Sequence, residues 1–188
     1  LCMFNGEIYN YKEIDESSKS DGHSIISSYK KYDEDFVKYL DGEFVIVLFD
    51  FNKNRLIISS DIFKTKPLFY SIAEDIVIAS YVSSCKQIKD TKYKSINHNE
   101  TLIYNLNTKK LIKKMPVYNF DLEQKKDNYD DYINAFERAI LKRYPEKSIP
   151  LVQLSSGVDS GAIACCLFKH NKKALYYTIP GHENMHII

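Results

Sequence analysis

The sequence lacks a strong excess of charge and long apolar runs. Its 188 residues carry a net charge of +1, and no basic run is long enough to follow a phosphate backbone. No apolar run approaches the roughly 20 residues that cross a bilayer, and no signal peptide is present. Nucleic-acid partners and membrane segments are therefore not expected.

Cysteine pairing patterns are also missing. The four cysteines show no C-x-x-C pair, no disulfide spacing and no metal-site spacing with histidine; they are Cys2, Cys85, Cys165 and Cys166. Unpaired cysteines of this kind are typical of packing residues, and their thiols stay reduced in the cytoplasm. We expect four packing cysteines, with Cys2 on a buried strand, in a cytoplasmic protein.

The sequence has no internal repeat and no low-complexity segment. It begins at Leu1 rather than methionine and ends at Ile188, shortly after a predicted strand. We expect both ends to be internal to a longer protein.

The first two-thirds of the chain predicts strands. The run 44–50 is nearly continuously apolar and rich in β-branched residues, as in a strand covered on both faces, and the turn 52–54 leads to a returning strand at 55–61. Further strands are predicted at 67–70, 76–80, 101–106 and 111–112. Apolar residues at helical spacing predict one helix over 23–40.

The composition then changes. Residues 121–130 are polar and predict a linker, followed by a helix over 129–143. A strand at 151–154, a helix at 162–168 and a strand at 175–179 form the pattern of a parallel βαβ unit.

A Ser/Gly bend joins that strand to its helix. Residues 154–160 read Leu-Ser-Ser-Gly-Val-Asp-Ser. The amides of such a bend and of the following helix suit an anion, the hydroxyls add donors, and Asp159 could hold Mg²⁺. A plain serine-capped turn is the alternative. Without the Walker lysine, the bend suits pyrophosphate release better than γ-phosphoryl transfer.

A second motif, Asn5-Gly6-Glu7, opens the chain. We predict a tight turn that presents an amide and a carboxylate, a pair suited to a zwitterionic amino acid. The same three residues are also common in surface turns, so the residues alone leave both interpretations open.

Together these motifs resemble the glutamine-dependent asparagine synthetase family. The octet 4–11 is similar to its glutamine-binding N-G-E-I-Y-N segment, and the bend is similar to the S-G-G-x-D-S loop of ATP-pyrophosphatase ligases. The stretches 20–23, 40–44 and 60–70 also resemble family elements. The similarity extends from Asn5 to about Ile179.

The resemblance implies a fold class and domain boundaries. It implies an α+β part with antiparallel sheets of Ntn-hydrolase type, then the start of an α/β parallel-sheet domain like the adenine-nucleotide α-hydrolases. The first would be the C-terminal part of a class II glutamine amidotransferase domain (1–118). A linker (119–128) and the N-terminal part of the synthetase domain (129–188) would follow.

The resemblance also implies site residues. Glutamine binding is carried over to Asn5, Gly6, Glu7 and Asp21. ATP and pyrophosphate binding is carried over to Leu154, Ser155, Ser156, Gly157, Val158, Asp159, Ser160 and Ile179, with Asp159 on Mg²⁺. The family's cysteine nucleophile would lie upstream of this chain, so no catalytic residue is assigned within it.

The implied reaction uses glutamine, ATP, Mg²⁺ and a carboxylate acceptor such as aspartate. Ammonia from glutamine would amidate the adenylated acceptor, and a homodimer is compatible with the family. We expect neither active site to be complete within these residues.

Several positions depart from the family pattern. Ser156 stands for a glycine, Ser60 for an arginine, Lys64 for a glycine and His23 for a glutamate. These departures leave open a related ligase that acts on a different acceptor, with an inactive glutaminase-like domain. A structural or interaction module is the remaining alternative.

Overall fold

The computed structural model describes residues 1–87, 92–123, 125–181, 183–184 and 186–187, which divide into two compact units. The first unit is Leu1–Leu122 and the second is Glu123–Ile188. The described residues of the predicted linker 119–128 contain no helix or strand. Across the described ranges, no helix is both long enough and apolar enough to span a membrane.

The first unit contains two antiparallel sheets. Its strands in chain order are β1 (Cys2–Ile8), β2 (Gly42–Asp50), β3 (Arg55–Ser60), β4 (Phe69–Ile72), β5 (Ile76–Ala79), β6 (Lys94–Ser95), β7 (Glu100–Asn105) and β8 (Leu111–Met115). The larger sheet has the order β1-β2-β3-β7-β8, and the smaller has the order β5-β4-β6. Both sheets are antiparallel throughout.

Strand β2 lies between two apolar cores, which explains its nearly continuous hydrophobic sequence. Ile46 and Leu48 belong to one core, whereas Val45 and Val47 belong to the other. Since successive side chains of a strand point to opposite faces, both faces of β2 are covered. The predicted hairpin is confirmed, because β2 and β3 pair antiparallel from Asp50↔Arg55 onward.

The helices of the first unit are short. They are α1 (Tyr11–Ile14), α2 (Asp21–Tyr32) and α3 (Val82–Lys86), with a 3-10 helix over Asp33–Tyr39. Helix α2 packs on one face of the larger sheet, where Ile25 is fully buried.

The prediction of one helix over 23–40 was wrong. The α-helix ends at Tyr32, because the next residue, Asp33, has a φ of +51° that interrupts the helical backbone. The following 3-10 helix keeps Phe36 and Val37 fully buried. Because these apolar residues continue the helical spacing, the sequence pattern hides the break.

Two of the departures from the family pattern lie at the end of β3 and in the turn that follows it. Lys64, which stands for a glycine, keeps a left-handed backbone with φ +56°. A side chain in this conformation costs about 1 kcal/mol, so the chain retains the strained turn without its most suitable residue. Ser60, which stands for an arginine, is fully buried.

The second unit contains the predicted βαβ pattern. Helix α4 (Asp130–Lys142) is followed by β9 (Leu151–Gln153), α5 (Val158–Lys169) and β10 (Leu175–Tyr177). Strands β9 and β10 pair in parallel, as predicted. The Ser/Gly bend therefore lies where a parallel strand meets the start of a helix, an arrangement common in ligand sites of α/β sheets.

Candidate functional site

The Asn5-Gly6-Glu7 motif lies within strand β1 and not in a tight turn, so the turn prediction was wrong. The motif pairs with β2 in the register Asn5↔Val45, Gly6↔Phe44 and Glu7↔Glu43. Glycine between two polar residues favours a turn locally, but pairing with the buried strand β2 overrides that preference.

Gly6 is required by the close approach of β1 to β2. Its φ is +143°, a conformation that is essentially restricted to glycine. A Cβ atom built on Gly6 would lie 1.9 Å from the carbonyl oxygen of Glu43 and 2.8 Å from the Cα of Phe44. No side chain fits there without displacement of the β2 backbone.

Strand β1 forms one edge of the larger sheet, and its backbone groups alternate in direction. Leu1 and Phe49 exchange both backbone hydrogen bonds, at 3.0 and 2.8 Å. In an antiparallel pair such exchanges recur at every second residue, at Asn5 and Glu7 in this register. The polar backbone groups of Gly6 and Ile8 are therefore directed towards the open edge.

Asp21 reaches this open edge from the first residue of helix α2. Its Oδ2 accepts a hydrogen bond from the Ile8 amide at 3.1 Å, and its Oδ1 accepts one from the Gly22 amide at 2.9 Å. The structure thus brings Asp21 against the strand that carries the N-G-E motif. Each carboxylate oxygen keeps a further lone pair for another donor.

The side chains of Asn5 and Glu7 are exposed. They lie on the face of β1 opposite the apolar core that contains Ile25 of helix α2. Asn5 lines a cleft of about 150 Å³ between the two sheets, together with Val45, Leu68 and Ser80. The cleft combines apolar walls with a few polar groups, as small-molecule sites do.

Glu43 is a neighbouring acidic residue that the sequence interpretation missed. It lies directly across from Glu7 on β2 and accepts a hydrogen bond from the Tyr9 hydroxyl at 3.3 Å. Like charges on directly opposed residues destabilise a strand pair and favour a cation beside them. Only the strand register reveals this pair, because 36 residues separate its members (43 − 7).

Cys2 shows the character of a packing residue. It lies on β1 as predicted and packs, partly buried, against the α2 core. Burial raises the pKa of its thiol to about 11, although the N-terminal ammonium acts in the opposite direction. Because the thiolate is the nucleophilic form, Cys2 is a poor nucleophile near neutral pH.

The hydroxyls of the Ser/Gly bend mainly hold the bend itself. Ser155 Oγ and Ser160 Oγ share a hydrogen bond at 2.8 Å, and the Ser155 amide donates to Ser160 Oγ at 3.0 Å. The only Gly in the bend, Gly157, has a φ of −81°. None of residues 154–160, all of which are described, has a left-handed backbone, so Ser156 fits without strain.

Ser156 contacts a carboxylate from later in the chain. Glu183 Oε2 accepts hydrogen bonds from both the Ser156 amide and the Ser156 hydroxyl, each at 2.6 Å. These bonds lower the pKa of Glu183 below its usual value of 4.5. The bend therefore already holds one anionic oxygen.

The other predicted ATP-site residues lie in the bend or, like Ile179, after the paired strand β10. Leu154 follows β9 and Ile179 lies two residues beyond β10, so both are at the carboxyl ends of the parallel strands. Val158 and Asp159 begin helix α5 and are exposed. In the described part of the chain, no group of three acidic, histidine or cysteine side chains converges on a metal position.

An apolar cavity of about 330 Å³ adjoins the bend. It is lined by Leu154, Ala164, Cys165, Phe168 and Tyr176. Cys85 and Cys166 are buried, as predicted, but Cys165 is exposed. The expectation that Cys165 packs in the core was wrong, because this side of α5 faces the cavity.

The sequence of the first unit matches a known family model. Residues 1–121 match the model described as "Glutamine amidotransferase domain". The chain belongs to this glutamine amidotransferase family. The Asn5-Gly6-Glu7 motif and Asp21 fall within the matched residues.

Relatives include glutamine-hydrolysing asparagine synthetases. An asparagine synthetase of Arabidopsis thaliana is 30% identical over 182 residues, which cover 90% of this chain and 31% of that protein. The mouse (Mus musculus) asparagine synthetase is 28% identical over 211 residues, which cover 93% of this chain and 37% of the enzyme. The chain thus spans about a third of the length of these curated relatives.

The fold is also found in a solved amidotransferase. The glutamine phosphoribosylpyrophosphate amidotransferase of B. subtilis matches with a TM-score of 0.51 at 14% identity, over 94% of this chain and 45% of that chain. At this identity the likeness concerns the fold alone. The glutamine amidotransferase family and its antiparallel sheets are therefore established for this chain.

Proposed function

We propose that the chain is part of an ATP-dependent, glutamine-hydrolysing ligase of the asparagine synthetase type. The observation that carries the proposal is the close approach of the β1 backbone to β2 at Gly6. Next to it, the Ile8 amide at the open edge of β1 donates to Asp21, and the Asn5 and Glu7 side chains of the same strand are exposed. This set of donors and acceptors is complementary to a zwitterionic amino acid.

In this proposal, carboxylates bind the ammonium group of glutamine, and neutral groups bind its carboxylate and amide. The carboxylate of Asp21, with lone pairs left at the open edge, takes the α-ammonium group, and Glu7 adds negative charge nearby. The Asn5 amide and the Gly6 backbone have the donors and acceptors to bind the carboxylate and the amide of glutamine. The nucleophile that releases ammonia is supplied from outside this chain.

The second half of the proposal concerns the Ser/Gly bend. There the acceptor carboxylate attacks the α-phosphate of ATP, and the amides from Ser156 to Ser160 bind the departing pyrophosphate. The exposed start of helix α5 supports this role, because its first amides lack partners within the helix. Ammonia then displaces AMP from the adenylated acceptor and forms the amide.

Mg²⁺ fits this bend only together with phosphate. Asp159 is exposed at the first turn of α5, and none of the hydrogen bonds or ion pairs among described residues involves its carboxylate. Magnesium is commonly held by one or two carboxylates plus substrate phosphates. Asp159 is therefore the residue that would hold Mg²⁺, which would neutralise charge on the pyrophosphate.

Aspartate is the proposed acceptor, by analogy with the asparagine synthetases that the chain resembles. A related ligase with a different carboxylate acceptor is the second candidate. The departure at Ser156 favours it, since this serine forms contacts at the bend that glycine cannot form.

Glutamine binding is tested with two charge-neutral variants. Glu7→Gln and Asp21→Asn are each expected to weaken L-glutamine binding about tenfold or more, because each removes a carboxylate near the ammonium group. Isothermal titration calorimetry of the 188-residue chain measures the affinity.

Glu16→Gln, an equal charge change at an exposed position, serves as the control and is expected to bind like the unchanged chain. Glu7→Gln also relieves the repulsion from Glu43, so it should not lower stability. A weaker affinity would then reflect recognition rather than unfolding. Unaltered glutamine affinity in both test variants would refute the proposed site.

The magnesium assignment is tested separately with Asp159→Asn. This variant is expected to lose most of the Mg²⁺-dependent gain in pyrophosphate affinity, by about tenfold, and to match the unchanged chain without Mg²⁺. Calorimetric titrations with and without MgCl₂ measure the gain. Asp127→Asn, in the linker, is the control; an equal loss there would argue against a role for Asp159.

A further inference from the structure

The Glu183 carboxylate occupies the bend as an internal anion. Although 27 residues separate it from Ser156, Glu183 Oε2 accepts two hydrogen bonds of 2.6 Å from that residue. Bonds of this length to an ionised oxygen are among the stronger hydrogen bonds in proteins. The contact therefore differs from a chance approach of two surface side chains.

The Ser156 hydroxyl completes the contact from the other side. It donates to Glu183 and accepts a hydrogen bond from the Asn184 amide at 3.3 Å. Glycine, the residue of the resembled loops at this position, could supply only the backbone amide. The hydrogen bond from the Ser156 hydroxyl to Glu183 therefore gives a structural explanation for serine at this position, which the sequence alone did not supply.

A polyphosphate at the bend competes with this contact. The Ser156 amide is one of the donors proposed for pyrophosphate, and Glu183 already takes its hydrogen. Two anions beside the same donor also repel each other, most strongly where water is partly excluded. Either Glu183 or a phosphate oxygen can hold the Ser156 amide at one time.

We propose that Glu183 is an autoinhibitory carboxylate that competes with pyrophosphate for the bend and lowers its affinity for ATP phosphates. This inference rests on the proposed phosphate-binding role of the bend. The lowered pKa of Glu183, caused first by the Ser156 side-chain hydrogen bond, keeps the competitor ionised near neutral pH. Phosphate binding releases Glu183, and loss of phosphate returns it.

The test measures pyrophosphate affinity in three variants of the 188-residue chain. Glu183→Ala removes the competitor and is expected to tighten binding of magnesium pyrophosphate about three- to tenfold, since apparent affinity scales with the open fraction of the bend. Ser156→Gly removes one of the two bonds and is expected to have a smaller effect in the same direction. Glu146→Gln, at an exposed position of the same unit, should change nothing.

The outcomes separate this inference from the proposed function. Equal pyrophosphate affinity in the unchanged chain and in Glu183→Ala would overturn the autoinhibitory role and leave the phosphate site intact. Absence of pyrophosphate binding in every variant would overturn the phosphate site itself. Amide NMR reports the contact directly: without ligand, the Ser156 resonance should shift in Glu183→Ala and stay in place in Glu146→Gln.

Discussion

Replacement of Gly6 by alanine should destabilise the first unit by about 3 kcal/mol or more. The methyl group would lie 1.9 Å from the carbonyl oxygen of Glu43, and the backbone would keep a φ of +143°. Relief of the clash requires β1 to move away from β2, which breaks the strand pairing at the Asn5-Gly6-Glu7 motif. Urea unfolding followed by far-ultraviolet circular dichroism measures the loss.

Gly22→Ala is the matched control in the same unit. The nearest side-chain atom to its added methyl group would be Phe4 Cδ1, at an ordinary contact distance of 3.6 Å. Because alanine favours the helix over glycine, this variant is expected to unfold at an equal or higher urea concentration. If Gly6→Ala and the unchanged chain unfold at the same urea midpoint, the close approach of β1 to β2 at Gly6 is contradicted.

Replacement of Asp61 by alanine should cost about 3–5 kcal/mol. This carboxylate is only 3% exposed, and it accepts hydrogen bonds from the amides of Phe44, Phe63 and Thr65 and from the Thr65 hydroxyl. Alanine would leave these four donors without a partner inside the unit. The same urea titration measures the effect.

Asp61→Asn separates shape from hydrogen-bonding capacity. Asparagine fills the same space but turns one acceptor oxygen into a donor that faces other donors, so an intermediate loss is expected. The control is Asp35→Ala, which removes an exposed ion pair with Lys38 at 2.6 Å and should cost less than about 1 kcal/mol. An effect of Asp61→Ala no larger than that of Asp35→Ala would exclude a structural role for this carboxylate.

Local patterns predicted the central hairpin and the βαβ unit. Residues 44–49 of β2 are all apolar, and the turn between β2 and β3 carries Asn52 and Asn54, so propensity and burial agree there. At β9, α5 and β10 the local sequence pattern also matches the structure, although both strands are largely exposed. These elements were predictable because their neighbours along the chain determine their structure.

Other elements depend on partners distant in sequence. The N-G-E motif is a strand because β2 pairs with it, and the helix break at Asp33 appears only in the backbone. Neither feature has a local signal, since glycine between polar residues favours turns and the apolar spacing continues past residue 33. Tertiary pairing decided both.

In the candidate sites too, some residues could be predicted from local motifs, whereas others depend on partners distant in the sequence. Motif resemblance indicated Asp21, and the structure places its carboxylate on the Ile8 amide. The buried carboxylate of Asp61, the Glu7–Glu43 pair and the Ser156–Glu183 contact carried no signal of their own. Each depends on two segments that meet only in the folded chain.

The ordinary backbone of the Ser/Gly bend bears on how this region can diverge. Since no residue of 154–160 has a left-handed backbone, position 156 accepts serine in place of glycine without a change of backbone conformation, and this substitution changes the groups presented to an anion. Position 6 of strand β1, where the close approach of β2 leaves room only for glycine, has no such freedom.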